Sequence, residues 1–420
     1  MDAKQIEKAM DAAREQYAAL GVNADHALIA LERVALSLHC WQGDDVGGFE
    51  AAGGELGGGL AVTGKYPGKA RTIDELRADL DAALALIPGR HRVNLHAMYG
   101  DFGGKRVERD RIETAHFRSW VDWARERKLG LDFNATCFAH PLAAGGFTIA
   151  SRDARVREFW IEHVRRCREI GAWMGKKLGK ACLHNLWVPD GTKDATVDRR
   201  RFREILADSL GKIYATEYPR KELLDSVEAK LFGIGSETFV VGSHEFYLGW
   251  AAAHKKMLCL DMGHYHPTES VADKITALLP FVDELAIHVS RGVRWDSDHV
   301  VLFDDALTAL MQEIVRAGAL ARVRLALDYF DGELNRVGAW VVGARATLRA
   351  LLFALLEPTA RLRQYEEAGD KFAGLALAEE LKSLPFGAVW DYHCLNAGMP
   401  TGAAWLAAVH DYEKRVLRDR

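Results

Sequence analysis

The sequence has 420 residues of near-average composition, with 55 Lys and Arg against 59 Asp and Glu and a formal net charge of −4. This length suits one barrel of about 250 residues plus additions. The near-neutral charge, without a basic and aromatic-studded stretch, argues against a nucleic-acid partner. No uninterrupted apolar run approaches the roughly 20 residues of a membrane span. The first residues lack a signal-peptide pattern and the six cysteines form no C-x-x-C pair, so we expect reduced thiols in a cytoplasmic protein.

Helical periodicity alternates with short apolar runs along most of the chain. Two helices are predicted before the first apolar run, at 2–19 and 24–33. Eight strands are predicted at 34–41, 92–99, 130–138, 181–188, 225–232, 256–261, 284–289 and 322–330. The helices predicted between and after them are 73–87, 110–127, 152–177, 197–217, 243–255, 268–280, 303–318 and 336–355. Eight strand–helix alternations predict an α/β fold of the (β/α)8 TIM-barrel type, spanning 1–356 with the N-terminal helices.

The residues after this barrel are mostly helical. We predict helices at 358–383, 386–394 and 402–418, which together form a C-terminal helical extension at 357–420. Such an extension can contact a neighbouring subunit and build an oligomer, or it can pack on its own barrel. We expect it to contact a neighbouring subunit.

A glycine-rich segment follows the first predicted strand, with nine glycines between positions 43 and 64. Their spacing does not match a phosphate-binding loop next to a helix start. We interpret the segment as a mobile loop beside the active site, and the alternative is a plain surface excursion.

Metal-type ligands follow the predicted strands, at the barrel end where active sites lie. Carboxylates mixed with imidazoles suit a divalent ion such as Mn²⁺, Mg²⁺, Co²⁺ or Zn²⁺. The fifth to eighth strands each end in one such residue, and these four can converge on one ion: Glu228, Asp261, His288 and Asp328. Three residues lie slightly further out and can hold a second ion: His264, Asp296 and Asp298.

Other polar and aromatic residues at the strand ends are candidates for binding a sugar. Trp41 and Trp187 either belong to the core or offer flat apolar faces to a sugar ring. Lys230 lies two residues beyond Glu228, on the same side of the predicted strand. It can polarise a carbonyl oxygen, or it can form a structural ion pair. His96 can serve as the acid or base that opens a cyclic sugar, and Lys230, His96 and Asp328 are the candidate catalytic residues.

Seven motifs of this chain are long enough to be specific. One reads Asp-Met-Gly-His-Tyr-His-Pro-Thr-Glu at 261–269, and the others are 38–45, 130–134, 187–191, 230–235, 293–300 and 383–385. These motifs resemble the L-rhamnose isomerase family, aldose–ketose isomerases of the xylose isomerase-like barrel superfamily. The resemblance runs almost end to end. It implies Mn²⁺-dependent interconversion of L-rhamnose and L-rhamnulose, the first step of L-rhamnose catabolism, by a cytoplasmic homotetramer.

The same resemblance divides the ligands between two ions per subunit, for which Co²⁺, Zn²⁺ or Mg²⁺ can substitute. His264, Asp296 and Asp298 resemble the ligands of a catalytic ion. The other four resemble the ligands of a structural ion: Glu228, Asp261, His288 and Asp328. The substrate range beyond L-rhamnose does not follow from the motifs.

We hypothesise that a hydride moves between C2 and C1 while a metal-bound water shuttles the hydroxyl proton. An ene-diol route with a carboxylate base is the competing mechanism. A metal-dependent hydrolase on the same barrel is the alternative enzyme class, but it requires a basic phosphate groove that this near-neutral chain does not offer. A non-catalytic sugar-binding protein is the third hypothesis, and such a protein does not need two sets of metal ligands.

Overall fold

Eight parallel strands close into a barrel in the computed structural model, which describes residues 1–50, 56, 60–295 and 299–420. The barrel strands are β1 (Ala35–His39), β2 (Arg90–His96), β3 (Gly130–Asn134), β4 (Cys182–Trp187), β5 (Leu223–Glu228), β6 (Met257–Asp261), β7 (Leu285–Val289) and β8 (Val323–Leu327). Each strand pairs with its neighbours in the chain, and β8 pairs with β1. The predicted TIM barrel and all eight predicted strands are therefore confirmed.

Several strands end earlier than their apolar patterns predicted. β2 stops at His96 because the chain enters a 3-10 turn at Ala97–Tyr99. β5 stops at Glu228, and the backbone N–H of Lys230 donates to the carbonyl of Gly242 at 3.3 Å instead of continuing the ladder. The prediction that Lys230 lies on the same strand face as Glu228 is therefore wrong, because Lys230 belongs to the loop after β5.

The described residues include fourteen helices, most of them close to their predicted bounds. They are α1 (Ala3–Ala19), α2 (Ala24–Arg33), α3 (Ile73–Leu84), α4 (Arg118–Glu126), α5 (Ala154–Leu178), α6 (Arg199–Ile213), α7 (His244–His254), α8 (Val271–Leu278), α9 (Asp305–Arg316), α10 (Arg336–Leu355), α11 (Thr359–Glu367), α12 (Lys371–Glu380), α13 (Phe386–Asn396) and α14 (Ala404–Arg415). The predicted helix at 358–383 is two helices. Gly369 adopts a left-handed φ of 71°, which ends the first helix, and Asp370 caps the second by accepting from the N–H of Ala373.

The longest apolar helix is a core element. α10 is long and apolar enough to cross a membrane, but 78% of its most apolar window is buried inside the protein. All six cysteines are also buried, as free thiols.

The two halves of the C-terminal extension differ in how they pack. The end of the chain packs on its own barrel, because Arg420 and Tyr412 both bind the carboxylate of Asp79 in α3, at 2.6 and 2.7 Å. α11 and α12 contain no buried residue, and α12 exposes Phe372 and Leu375 to 80% and 67%.

Candidate active site

The carboxyl ends of the barrel strands surround a cavity that contains most of the predicted site residues. The predicted residues that line it are Trp41, His96, Trp187, Glu228, Lys230, His264, His288 and Asp328. Asp261 lies beside it at the end of β6 and reaches His288. Asp296 and Asp298 lie outside the described residues.

Three carboxylates converge on the ring of His288. Its Nδ1 lies 3.0 Å from Asp328, 3.3 Å from Glu228 and 3.6 Å from Asp261. The ligand atoms of these four residues all lie within 4.8 Å of one another. Both ring nitrogens of His288 are buried, and neither makes a hydrogen bond of regular geometry within the described residues. Buried carboxylates and an imidazole that surround a common point without bonding each other fit a divalent cation.

Neighbouring polar groups fix which carboxylate oxygens face His288. Asp261 Oδ1 accepts from the N–H of Gly263 at 2.6 Å and from Ser290 Oγ at 2.5 Å, so that Oδ2 faces the ring. Glu228 Oε2 accepts from the amide of Asn185 at 2.5 Å. Such supporting bonds hold ligands in one orientation before any ion binds.

The cluster also sets the charge state of its members. Burial acts to raise the pKa of Glu228, but the rings of His288 and His264 hold that pKa well below its ordinary value. Burial acts to lower the pKa of His288, yet Cys259 and the surrounding carboxylates raise it well above its ordinary value. The carboxylates therefore create a strongly negative potential that favours a cation at their centre.

His264 connects this cluster to the rest of the cavity. Its Nδ1 lies 3.1 Å from Glu228 Oε1, and its ring stacks on Trp187 with 6.5 Å between centroids. Glu228 consequently contacts both imidazoles, one through each carboxylate oxygen.

A series of aromatic rings forms one wall of the cavity. Trp41 contacts His96 with centroids 4.8 Å apart, His96 contacts Phe138 at 5.4 Å, and Phe138 contacts Trp187 at 6.0 Å. Lys230, which is 3% exposed, lies with Nζ 5.4 Å from the centre of the Trp187 ring. The cavity thus combines an apolar wall, one ammonium group and a cluster of carboxylates.

His96 is placed to contact a ligand, but its surroundings keep it neutral. Burial, with the positive charge of Arg109 acting in the same direction, lowers the pKa of His96 to about 3. Its Nδ1 lies 3.3 Å from the hydroxyl of Thr136. At neutral pH the ring can exchange hydrogen bonds with a sugar hydroxyl without carrying charge.

Sequence reasoning missed several residues at the cavity. Asn185 and Ser290 orient carboxylates but carry no motif, and Phe138 lies in a loop that was predicted as strand. Val46 and Leu60 line the cavity from the glycine-rich segment, so part of that segment lies beside the site. A glycine is required at one point of it: Gly48 has a φ of 68°, and a Cβ there would approach Met98 Cγ to 2.7 Å.

The fold and the cavity define a (β/α)8-barrel protein with buried carboxylates and imidazoles at the mouth of its barrel. A sequence model of the L-rhamnose isomerase family (RhaA) matches residues 4–420 of this chain. The chain therefore belongs to the L-rhamnose isomerase family and is an enzyme of the isomerase class.

Relatives that carry the family's name agree with this assignment. The chain is 57% identical to the L-rhamnose isomerase of Rhodopirellula baltica over 99% of its own length and 97% of that protein. It is 53% identical to the enzyme of the same name from Bacteroides thetaiotaomicron, over 99% of each chain. A solved L-ribulose 3-epimerase is 13% identical, with a TM-score of 0.46, and the match covers 79% of this chain and 97% of that chain. That distant likeness carries no argument about function.

Proposed function

We propose that this protein interconverts L-rhamnose and L-rhamnulose, as the first step of L-rhamnose catabolism, with the help of divalent metal ions. Relatives of that name match over nearly the whole chain, which supports the substrate. The observation that carries the metal dependence is the convergence of Asp328, Asp261 and Glu228 on His288, with all four ligand atoms within 4.8 Å of one another.

We assign two ions to each subunit, with Mn²⁺ as the natural ion and Co²⁺, Zn²⁺ or Mg²⁺ as substitutes. Glu228, Asp261, His288 and Asp328 would hold the structural ion. His264 would hold the catalytic ion together with Asp296 and Asp298. The contacts of Glu228 with both imidazoles support its place among the groups that would hold metal. When bound, the ions supply electrophilic stabilisation of the negative charge that develops on the sugar's first two oxygens.

The chain's own side chains would bind and orient the sugar. Trp41 and Trp187 would offer apolar faces to the carbon skeleton, and the neutral His96 would hydrogen-bond a hydroxyl and assist ring opening. Lys230 would place its ammonium beside the carbonyl oxygen, where its charge matters most in the transition state. The aromatic wall supports the exclusion of water, which favours a hydride shift from C2 to C1 over an ene-diol.

We further propose a cytoplasmic homotetramer in which residues 1–356 form the barrel unit and 357–420 the extension. The exposed Phe372 and Leu375 support α12 as the part of the extension that meets a second copy. The sugar is the only small-molecule partner in this proposal, and nucleic acid and membrane have no part in it.

The experiment that tests the proposed function is an assay for ketose formation. The purified protein, supplied with Mn²⁺, is incubated with L-rhamnose, and L-rhamnulose is identified in the mixture by carbon NMR. We expect the ketose to appear and to reach the same equilibrium from either sugar. Failure to convert either sugar with Mn²⁺ or any of the three substitute ions would refute the proposal.

A further inference from the structure

The loops that follow the first three barrel strands meet at one buried guanidinium. Arg109, which is 2% exposed, lies in the loop after β2. Its Nε and Nη2 donate to the carboxylate of Glu50, in the loop after β1, at 3.0 and 2.8 Å. Its Nη1 donates to the carbonyl oxygens of Thr136 and Phe138, in the loop after β3, at 2.7 and 2.5 Å.

This guanidinium is fully matched by acceptors. Nη2 donates a further bond to the carbonyl of Ala139 at 3.3 Å, so each of the five N–H groups has an oxygen partner. Glu50 provides the countercharge that a buried cation requires, and its side chain is 12% exposed. A lysine could not reproduce these bonds, because it lacks the planar fork of donors.

The loop after β3 depends on these bonds for its shape. Ala139 has a φ of 52°, a left-handed conformation that is uncommon for a residue with a Cβ. His163 fixes the back of the same loop: Thr136 donates its N–H to Nε2 at 3.0 Å, and Nδ1 lies 2.9 Å from the Arg109 carbonyl. Arg109 is thus held through its backbone while its side chain holds the loop.

Two groups of the cavity depend on this loop. The Phe138 ring contacts His96 and Trp187, with centroids 5.4 and 6.0 Å apart. The hydroxyl of Thr136 lies 3.3 Å from Nδ1 of His96. A shift of the Thr136 and Phe138 carbonyl groups would therefore move the Phe138 ring in the cavity wall and the hydroxyl that contacts His96. Arg109 would cause this shift without itself lining the cavity.

We propose that Arg109 is a positioning residue for sugar binding, and that the Glu50–Arg109 ion pair couples the glycine-rich segment to the wall formed by Phe138. Arg109 acts through Phe138 and through Thr136, which orients His96. This inference rests on the proposed function, because its main readout is the binding of the sugar substrate.

The test replaces Glu50→Gln, which keeps the shape of the side chain and removes its charge. We expect KM for L-rhamnose to rise about tenfold and kcat to stay within about twofold, because sugar and transition state lose the same contacts. Glu50→Asp keeps the charge on a shorter side chain, and its KM should lie between those of wild type and Glu50→Gln. The control is Glu126→Gln, since Glu126 is an exposed carboxylate at the end of α4 that pairs on the surface with Arg127.

Hydrogen exchange gives a readout that does not depend on turnover. Peptides covering 135–139 and 44–50 should exchange about tenfold faster in Glu50→Gln than in wild type, while β6 and β7 stay unchanged. Unchanged KM with unchanged exchange would overturn the proposal. Faster exchange throughout the barrel with unchanged KM would also overturn it, because it would indicate a general loss of stability.

The same measurements separate this inference from the proposed function. If wild type converts no sugar, the proposed function fails and the exchange of 135–139 alone decides whether the ion pair holds that loop. If Glu50→Gln does not fold, Glu50→Asp carries the test, and a KM equal to that of wild type in that variant would overturn the proposal.

Discussion

Trp41 donates its indole N–H to Asp328 Oδ1 at 3.1 Å, and this bond leaves Oδ2 facing His288 at 3.0 Å. Trp41, in the turn after β1, therefore orients the carboxylate of Asp328, which follows β8. The contact spans the pair of strands at which the barrel closes. The same indole ring also forms part of the aromatic wall, through its contact with His96. Sugar wall and proposed metal ligand are consequently linked through one side chain.

The first prediction tests that link with Trp41→Phe, which keeps an aromatic ring and removes the hydrogen bond. We expect Mn²⁺ affinity, measured by calorimetric titration of EDTA-stripped protein, to fall about 10- to 100-fold, as for other losses of a ligand's supporting bond. The control is Trp187→Phe, because the Trp187 indole nitrogen makes no hydrogen bond within the described residues. Equal Mn²⁺ affinity in the two variants would contradict the assigned role.

The second prediction separates the two proposed ions by thermal stability. Glu228→Gln should remove most of the increase in Tm that Mn²⁺ gives the wild type, because an ion bound only to the native state stabilises it by about 2.7 kcal/mol at 100 times its Kd. His264→Ala should abolish turnover but retain most of that increase. Identical Mn²⁺-dependent shifts, recorded by calorimetry for both variants, would argue against separate roles.

The third prediction concerns the ammonium beside Trp187. Lys230→Met keeps the aliphatic stem and removes the charge, so kcat for L-rhamnose should fall on the order of 10²–10³ with a smaller change in KM. Lys193→Met, at an exposed position in the loop after β4, is the control and should match wild type. A Lys230→Met enzyme with two bound ions and a near-normal kcat would make Lys230 a structural counter-ion.

The fourth prediction concerns a buried carboxylate in the glycine-rich segment. Burial raises the pKa of Asp44 to about 7, although Tyr99 and Gly48 donate hydrogen bonds to it. The native state then binds more protons than the unfolded chain between pH 4 and 7, so this group lowers the free energy of unfolding as pH rises through that interval. In EDTA, denaturant titrations should show a free energy of unfolding that rises more, or falls less, between pH 4 and 7 for Asp44→Asn than for wild type, and parallel curves would contradict the raised pKa.

The fifth prediction concerns assembly. Replacing the exposed Phe372 and Leu375 together by Glu should reduce the oligomer mass measured by light scattering, because charge would enter the proposed interface on α12. The variant's helical content should not change, since neither side chain is buried in its own chain. A tetramer of unchanged mass would remove α12 from the interface.

Much of the site could be predicted because a parallel barrel imposes a rule on strand ends. Glu228, Asp261, His288 and Asp328 each follow an apolar run, and the closure of the barrel brings those positions to one edge. The same rule explains why Trp41 and Trp187 line the cavity. The sequence therefore predicts which strand-end residues face the site.

The supporting contacts could not be derived in this way. Asn185 and Ser290 are small polar residues whose partners depend on side-chain direction and not on a repeating pattern. The Glu50–Arg109 pair joins two loops 59 positions apart, and loop geometry follows no periodicity. The strand ends were misjudged for a related reason, since apolar residues such as Ala97 and Met98 continue past the ladder into a turn.

The most direct test of the account is a joint titration of EDTA-stripped protein with Mn²⁺, in which bound ion and the rate of L-rhamnulose formation are measured on the same samples. We predict no turnover in the metal-free sample and a rate that rises as the ions bind, with fewer ions bound and turnover lost in Glu228→Gln. Full turnover in a demonstrably metal-free sample, or no L-rhamnulose at saturating Mn²⁺, would contradict the account.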